Sequence, residues 1–319
     1  MSCYVIGIDG GATRTRAAVL DGWGRCLGRG EASGCSATVA SDQAGKPIRT
    51  AWTAACEQAG VAPTELSGAF LGVADVVTEA DRQGLREAVG ELGLLGANRV
   101  WVDHDIRIAW AGGLGCEAGI ALIAGTGSSC YGRNEAGQSH QAGGWGHVID
   151  DFGSGYRLAV AGLTAAAFAL DRRGRATVLS DRLLEALEVE QLPELMRRLH
   201  TGSAESPGAP MAKHEIAGLA PVVLKVAEAG DGVAQELVDR AVSSLRKMIV
   251  AVAEQLALAG PARRVALAGS LAAQPAIAEP LTQQLDQVQR PVKVVKPRYE
   301  PVVGAGLLAI ESVKTLFAE

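Results

Sequence analysis

Aromatic residues are scarce in this chain of 319 residues. Phenylalanine, tryptophan and tyrosine together make up 4% of it, although hydrophobic residues account for 48% and charged residues for 20%. That balance is typical of a globular protein, and the 40 glycines indicate close packing of helices on sheets. The length fits two domains at roughly 150 residues each.

The sequence also lacks an excess of positive charge and long apolar runs. Its formal net charge is -5, which gives no general reason to bind nucleic acid or an anionic membrane surface. No apolar run approaches the roughly 20 residues that a membrane-spanning helix needs. We therefore expect neither nucleic acid nor a membrane as a partner.

Paired cysteines at metal-binding or redox spacing are absent. The six cysteines follow no C-x-x-C pattern, which argues against a zinc site or a redox motif. Reduced thiols and the lack of an evident secretory signal predict a cytoplasmic protein. These residues are Cys3, Cys26, Cys35, Cys56, Cys116 and Cys130.

The chain contains the same strand, glycine turn and strand twice. The first copy opens an antiparallel meander, and alternating helices and strands follow it to Asp103. The second copy begins at Gly119 and leads into a helical region, two further strands and a closing helix from Val303. The pattern predicts an α/β fold of two similar half-domains, with boundaries at residues 1–115 and 116–319.

Each glycine turn has the composition of a phosphate-binding loop. Neither G-x-x-x-x-G-K-[ST] nor G-x-G-x-x-G is present, and a strand follows the first turn where those loops lead into a helix. Backbone N–H groups there could still bind a polyphosphate, although a tight hairpin explains the first turn alone equally well. The two turns comprise Gly10, Gly11, Ala12 and Thr13, and Gly125, Thr126, Gly127 and Ser128. Asp9 beside the first turn suits a Mg²⁺ ion.

With these motifs the chain resembles the actin, heat-shock-chaperone and sugar-kinase superfamily, and within it the N-acetylglucosamine kinases and the related activator-type ATPases. "GIDGGATRTR" and "IAGTGSSCYG" are similar to the two phosphate motifs, and "VALAGSLAAQ" to the adenosine motif with Gly269 and Ser270. The resemblance covers nearly the whole chain. It implies two ribonuclease-H-like half-domains, each a mixed sheet with helices, around a cleft for ATP and Mg²⁺.

The segment "VDHDIRIAWAGG" matches the stretch where these kinases carry a catalytic aspartate. The resemblance assigns Asp105 as the base that accepts a proton from the sugar hydroxyl during phosphoryl transfer. Asp105 could instead cap the following helix, and Asp103 is a rival for either role.

The segment "AGGWGHVIDDFGSGYRL" resembles the sugar-binding segment of the family. Gly144, Trp145 and Asp151 are its expected contacts to the substrate, together with Asp105. A core tryptophan and a helix cap are the structural alternatives for Trp145 and Asp151.

Two departures from the family pattern concern the sugar. Ala37 stands where an asparagine that contacts the N-acetyl group is usual, and Phe152 alters the end of the sugar segment. The resemblance implies phosphorylation of N-acetylglucosamine to its 6-phosphate by a homodimer. A glucosamine kinase is the alternative substrate assignment.

An activator-type ATPase would need cysteines for a bridging iron–sulfur cluster, and a sugar-responsive regulator would need a DNA-binding segment.

Overall fold

The computed structural model describes residues 3–11, 13–35, 41–201 and 208–318, and it contains two five-stranded mixed sheets. In the first sheet the strand order is β3-β2-β1-β4-β5; β1 pairs antiparallel with β2 and parallel with β4. Its strands are β1 (Tyr4–Gly10), β2 (Arg14–Asp21), β3 (Cys26–Ser33), β4 (Leu66–Val73) and β5 (Val100–His104).

The second sheet repeats this topology in the order β10-β9-β6-β7-β8. Its central strand β6 pairs antiparallel with β7 and parallel with β9, as β1 pairs with β2 and β4. The prediction of two half-domains of one kind, each a mixed sheet with helices, is therefore confirmed. These strands are β6 (Gly119–Ala124), β7 (Ser128–Arg133), β8 (Ser139–Gly143), β9 (Arg264–Ala268) and β10 (Lys293–Val295).

Helices cover the sheets, and none in the described ranges is both long and apolar enough to cross a bilayer. They are α1 (Ser41–Ala59), α2 (Glu79–Glu91), α3 (Asp105–Leu114), α4 (Gly155–Leu170), α5 (Leu179–Ala186), α6 (Leu192–Thr201), α7 (Lys213–Ala217), α8 (Ala220–Glu228), α9 (Gly232–Gln255), α10 (Pro275–Asp286) and α11 (Pro301–Leu316).

Helices α3 and α11 form a layer between the two sheets. One hydrophobic cluster joins residues of β1, β2 and β4 with these helices and with Ala121 and Ala266 of the second sheet. Glycines allow the backbones to meet: a Cβ on Gly7 of β1 would lie 2.3 Å from the nitrogen of Gly306, and one on Gly304 would lie 2.1 Å from the carbonyl oxygen of Ile108. The final helix is thus part of the packing of the first sheet. The division at residues 115 and 116 stays a prediction.

Candidate active site

The carboxyl ends of the parallel strands β1, β4 and β5 bring acidic residues to one edge of the first sheet. Asp9 is aligned with Gly72 of β4, which in turn is aligned with Asp103 of β5. Asp9 and Asp105 both line a cavity of about 730 Å³ that also reaches the second sheet. Other residues that line this cavity include Arg16, Gly269, Tyr299 and Glu300.

Asp9 is held in a largely buried, acidic setting. Its side chain is 21% exposed, and Oδ2 lies 3.9 Å from a guanidinium nitrogen of Arg16. Burial and the nearby charges of Asp105 and Glu300 raise the pKa of Asp9 to about 6, against the opposing effect of Arg16. A cation bound beside Asp9 would lower the pKa of this carboxyl, because a positive charge favours the ionised form.

The surroundings of Asp105 and Asp103 differ sharply. Asp103 is bound by Arg82 and Arg107, each at 3.0 Å, and its Oδ1 also accepts the N–H of His104. Asp105 faces the cavity, and its Oδ1 lies 2.7 Å from Nδ1 of His104. The N-cap of α3 is His104, whose side chain accepts from the N–H of Ile106. Geometry therefore favours Asp105 over Asp103 as a proton acceptor and leaves capping to His104.

The first phosphate turn is fixed to its neighbours through backbone hydrogen bonds. The carbonyl oxygen of Gly10 accepts from Ala74, and that of Gly11 accepts from Cys35. A Cβ on Gly10 would lie 2.7 Å from the sulfur of Cys35, so glycine is needed for this close approach. Thr13 is exposed, whereas the assignment of Ala12 falls outside the described residues.

The second phosphate turn packs on the start of α4. Carbonyl oxygens of Gly125 and Thr126 accept from the N–H groups of Gly155 and Tyr156, at 2.7 and 3.3 Å. The N–H of Gly127 lies within a turn closed by the bond from Gly125 N to the Gly127 carbonyl oxygen. Ser128 is buried at the start of β7. Backbone hydrogen bonds thus connect this turn, between β6 and β7, to the first residues of α4.

The predicted adenosine turn lies against the second phosphate turn. Gly269 has φ of 92°, and a Cβ there would lie 2.4 Å from the carbonyl oxygen of Ala124. That oxygen accepts from the N–H groups of Leu271 and Ala272, both at 3.0 Å. The hydroxyl of Ser270 would lie 3.8 Å from a Cβ on Gly125. Two motifs about 145 residues apart in the chain are neighbours in the fold.

The predicted sugar contacts Gly144, Trp145 and Asp151 do not line the cavity that contains Asp105. Trp145 is 64% exposed, so it is not a core residue. Asp151 is 2% exposed, accepts from the Ser128 N–H at 2.9 Å and pairs with the Lys213 ammonium at 2.9 Å. The N-cap of α4 is Ser154. Trp145 is therefore not a core tryptophan, and Asp151 is not the N-cap of α4. Their roles in sugar binding stay predictions.

Three residues near these motifs were not among the predicted ones. Arg16 shares the cavity with Asp9, His104 contacts Asp105, and Lys213 reaches the second phosphate turn. Strand alternation places Arg16 on the same side as Arg14, a signal too general to identify it. No local pattern connects Lys213 with Asp151.

Known proteins are similar to this chain over most of its length. Residues 6–309 match the BadF/BadG/BcrA/BcrD ATPase family. An N-acetylmuramic acid/N-acetylglucosamine kinase of Clostridium acetobutylicum is 31% identical over 258 residues, which is 80% of this chain and 81% of the relative. An N-acetyl-D-glucosamine kinase of Dictyostelium discoideum is 27% identical over 322 residues, covering 97% and 98% of the two chains.

A solved structure has the same fold. It is a protein of Chromobacterium violaceum provisionally described as an N-acetylglucosamine kinase, and it superposes with a TM-score of 0.78 at 25% identity. The superposition covers 97% of this chain and 99% of the other. The overall fold therefore has a counterpart in an experimentally determined structure.

Proposed function

Because the chain belongs to the BadF/BadG/BcrA/BcrD ATPase family, we propose that it is an ATP-dependent sugar kinase that phosphorylates N-acetylglucosamine at its 6-hydroxyl. The observation that carries this proposal is the meeting of Asp9 and Asp105 in one cavity with the turn at Gly269. A carboxylate for the nucleotide's metal, one for the hydroxyl and a nucleotide turn are the parts that phosphoryl transfer requires.

Asp105 is the proposed general base. Its carboxylate takes the proton of the sugar hydroxyl as that oxygen attacks the γ-phosphorus. The backbone of the two phosphate turns and the turn at Gly269 hold the nucleotide, and Arg16 contributes positive charge to the same cavity. Catalysis of this kind comes mainly from positioning and charge neutralisation, since the protein forms no covalent intermediate.

Asp9 is the residue that would hold Mg²⁺. Within the described parts of the chain, no three His, Cys, Asp or Glu side chains come together as a metal site. A single carboxylate fits Mg²⁺ that arrives with a nucleotide, because this ion keeps several waters and shares its remaining positions with phosphate oxygens. Bound there, Mg²⁺ would neutralise negative charge on the phosphates.

The sugar assignment follows the relatives. Two are kinases of N-acetylglucosamine by name, and one of these also acts on N-acetylmuramic acid. Trp145 and Asp151 are proposed to reach the sugar as an apolar wall and a hydroxyl acceptor after the cleft closes. Glucosamine is the main competitor, because Ala37 supplies no amide to the N-acetyl group. The position of Ala37 lies outside the described residues.

The test is an ADP-release assay with Mg-ATP and a panel of N-acetylglucosamine, glucosamine and glucose. We expect the highest kcat/KM for N-acetylglucosamine, with glucosamine second. The margin over glucosamine should be modest, because a polar contact discriminates between substrates far better than an apolar one and Ala37 provides no amide. Equal kcat/KM for all three sugars, or a preference for glucose, would contradict the assignment, and the absence of any sugar-dependent ADP release would contradict the kinase itself.

An activator-type ATPase has less support. Among the described cysteines only Cys26 is exposed, and Cys35, Cys56 and Cys130 are buried. A cluster shared between subunits needs several accessible thiolates. Iron in the purified protein, measured by metal analysis, would favour that alternative. A homodimer and a cytoplasmic location complete the proposal, and light scattering of the purified protein tests the first.

A further inference from the structure

The ring nitrogen Nδ1 of His104 lies beside two groups that require opposite protonation states of this nitrogen. It lies 2.7 Å from Oδ1 of Asp105, a contact that needs a proton between the two atoms. It also lies 3.2 Å from the backbone nitrogen of Ile106, whose N–H requires a free lone pair on Nδ1. One imidazole nitrogen cannot satisfy both at once, so its protonation state decides which contact is made.

The contact with Asp105 is the stronger of the two. It is shorter, and a hydrogen bond between an imidazolium and a carboxylate is assisted by charge. Burial of the His104 side chain, which is 13% exposed, disfavours the imidazolium. The hydrogen bond and the charge of Asp105 outweigh burial and raise the pKa of His104 above its usual value, with further help from Asp103 and Asp75.

Charged groups from several elements surround this pair. The charge of Asp103 is compensated by its two arginine partners, one from α2 and one from α3, so Asp105 remains the direct anionic partner of the imidazole. On the cavity side, Asp105 faces the carboxylate of Asp9. The groups around the pair are Asp9, Arg16, Asp75, Arg82, Asp103, Arg107 and Glu300.

We propose that His104 is a positioning residue for Asp105: its Nδ1–H holds Oδ1 of the carboxylate and leaves Oδ2 to take the proton of the sugar hydroxyl. This inference rests on the proposed kinase function. The sugar oxygen forms a bond to the γ-phosphorus while the bond from that phosphorus to the bridging oxygen of ADP breaks. The hydroxyl proton moves to Oδ2, and the proton on Nδ1 stays with the imidazole.

Two substitutions separate positioning from capping. His104→Ser can still cap α3 but lacks the ring that reaches Asp105, whereas His104→Asn places an amide nitrogen near the position of Nδ1. We expect His104→Ser to lower kcat roughly 10-fold with little change in the KM for ATP, because a freed carboxylate is less often in the reactive orientation. His104→Asn should return kcat to within about threefold of the unsubstituted protein.

Rescue of kcat by His104→Asn gives a reading that a capping role would not produce, because serine and asparagine are both good N-cap residues. The matched control is His200→Ser on α6, at an exposed position, for which kcat should not change. If His104→Ser keeps its kcat, or if His104→Asn loses as much kcat as His104→Ser, the proposal is wrong.

A titration of the imidazole signals by NMR tests the pair without any sugar. The pKa of His104 should fall in Asp105→Asn, since the neutral amide no longer stabilises the imidazolium. An unchanged pKa would overturn the pairing of His104 with Asp105. An unsubstituted protein that phosphorylates no sugar would overturn the proposed function instead, so the two failures are distinguishable.

Discussion

At the scale of single residues, two carboxylates only two positions apart have different partners. Asp103 is bound by Arg82 and Arg107, and Asp105 faces the cavity beside His104. Asp105→Asn should lower kcat roughly 100-fold or more while the free energy of unfolding changes little, because the amide keeps the shape and removes the proton acceptor. Steady-state kinetics and urea unfolding measure the two effects.

Asp103→Asn is the matched comparison for that experiment. It weakens two ion pairs that are partly buried, so we expect a loss of stability, with kcat reduced less than in Asp105→Asn. Retention of activity in Asp105→Asn together with its loss in Asp103→Asn would reverse the assignment of the base.

The ionised carboxylate of Asp9 is expected to lower the free energy of unfolding of the ligand-free protein. With its folded-state pKa raised to about 6, the carboxyl contributes stability that is fully present below about pH 4 and is lost as pH rises through about 6. Asp9→Asn carries no charge, so it should stabilise the ligand-free protein by about 3 kcal/mol at pH 8, with the gain disappearing toward pH 4. Urea unfolding at the two pH values checks this.

The same substitution should lower kcat/KM for Mg-ATP by roughly 100-fold, because the proposed metal ligand is lost. Asp239→Asn, at an exposed position of α9, serves as the control and should change neither quantity. A variant that is no more stable at pH 8 than the unsubstituted protein would show that burial of Asp9 is not a cost to the fold.

At the scale of elements, the turn between β9 and α10 depends on one glycine. Gly269→Ala combines a φ of 92° with a Cβ 2.4 Å from the Ala124 carbonyl oxygen, so we expect a loss of about 3 kcal/mol or more. Gly230→Ala is the matched control, since Gly230 has φ of 96° and open space around its Cβ; it should lose about 1 kcal/mol. Equal losses in urea unfolding would contradict the importance of the close contact.

The sequence predicts these elements well where a periodic pattern meets a glycine turn. The three strands of the first meander and the hairpin of β6 and β7 were predicted for that reason. Strand β8 was not, because Ser139–Gly143 has no clear alternation of polar and apolar residues. The contacts of Asp151 with Ser128 and Lys213 were also missed, since both join distant parts of the chain and no local pattern encodes them.

At the scale of the whole molecule, the two halves are expected to bind nucleotide and sugar between them. Mg-ATP at 100 times its Kd should stabilise the folded protein by about 2.7 kcal/mol, because the unfolded chain does not bind it. We expect thermal unfolding to shift upward with Mg-ATP and further when N-acetylglucosamine is added. ATP without Mg²⁺ is the control, and no shift with Mg-ATP, with or without sugar, would remove the kinase proposal.

Helix α11 also has a consequence for how the protein is made. It packs against strands of the first sheet through the glycine contacts of Gly7 and Gly306, although Pro301–Leu316 is synthesised long after those strands. At roughly 5 to 20 residues per second, a ribosome needs on the order of 10 to 50 s to travel from β4 to α11. During that interval the apolar face of the first sheet lacks this cover, and we expect a nascent chain that stops before Pro301 to be a preferred client of chaperones.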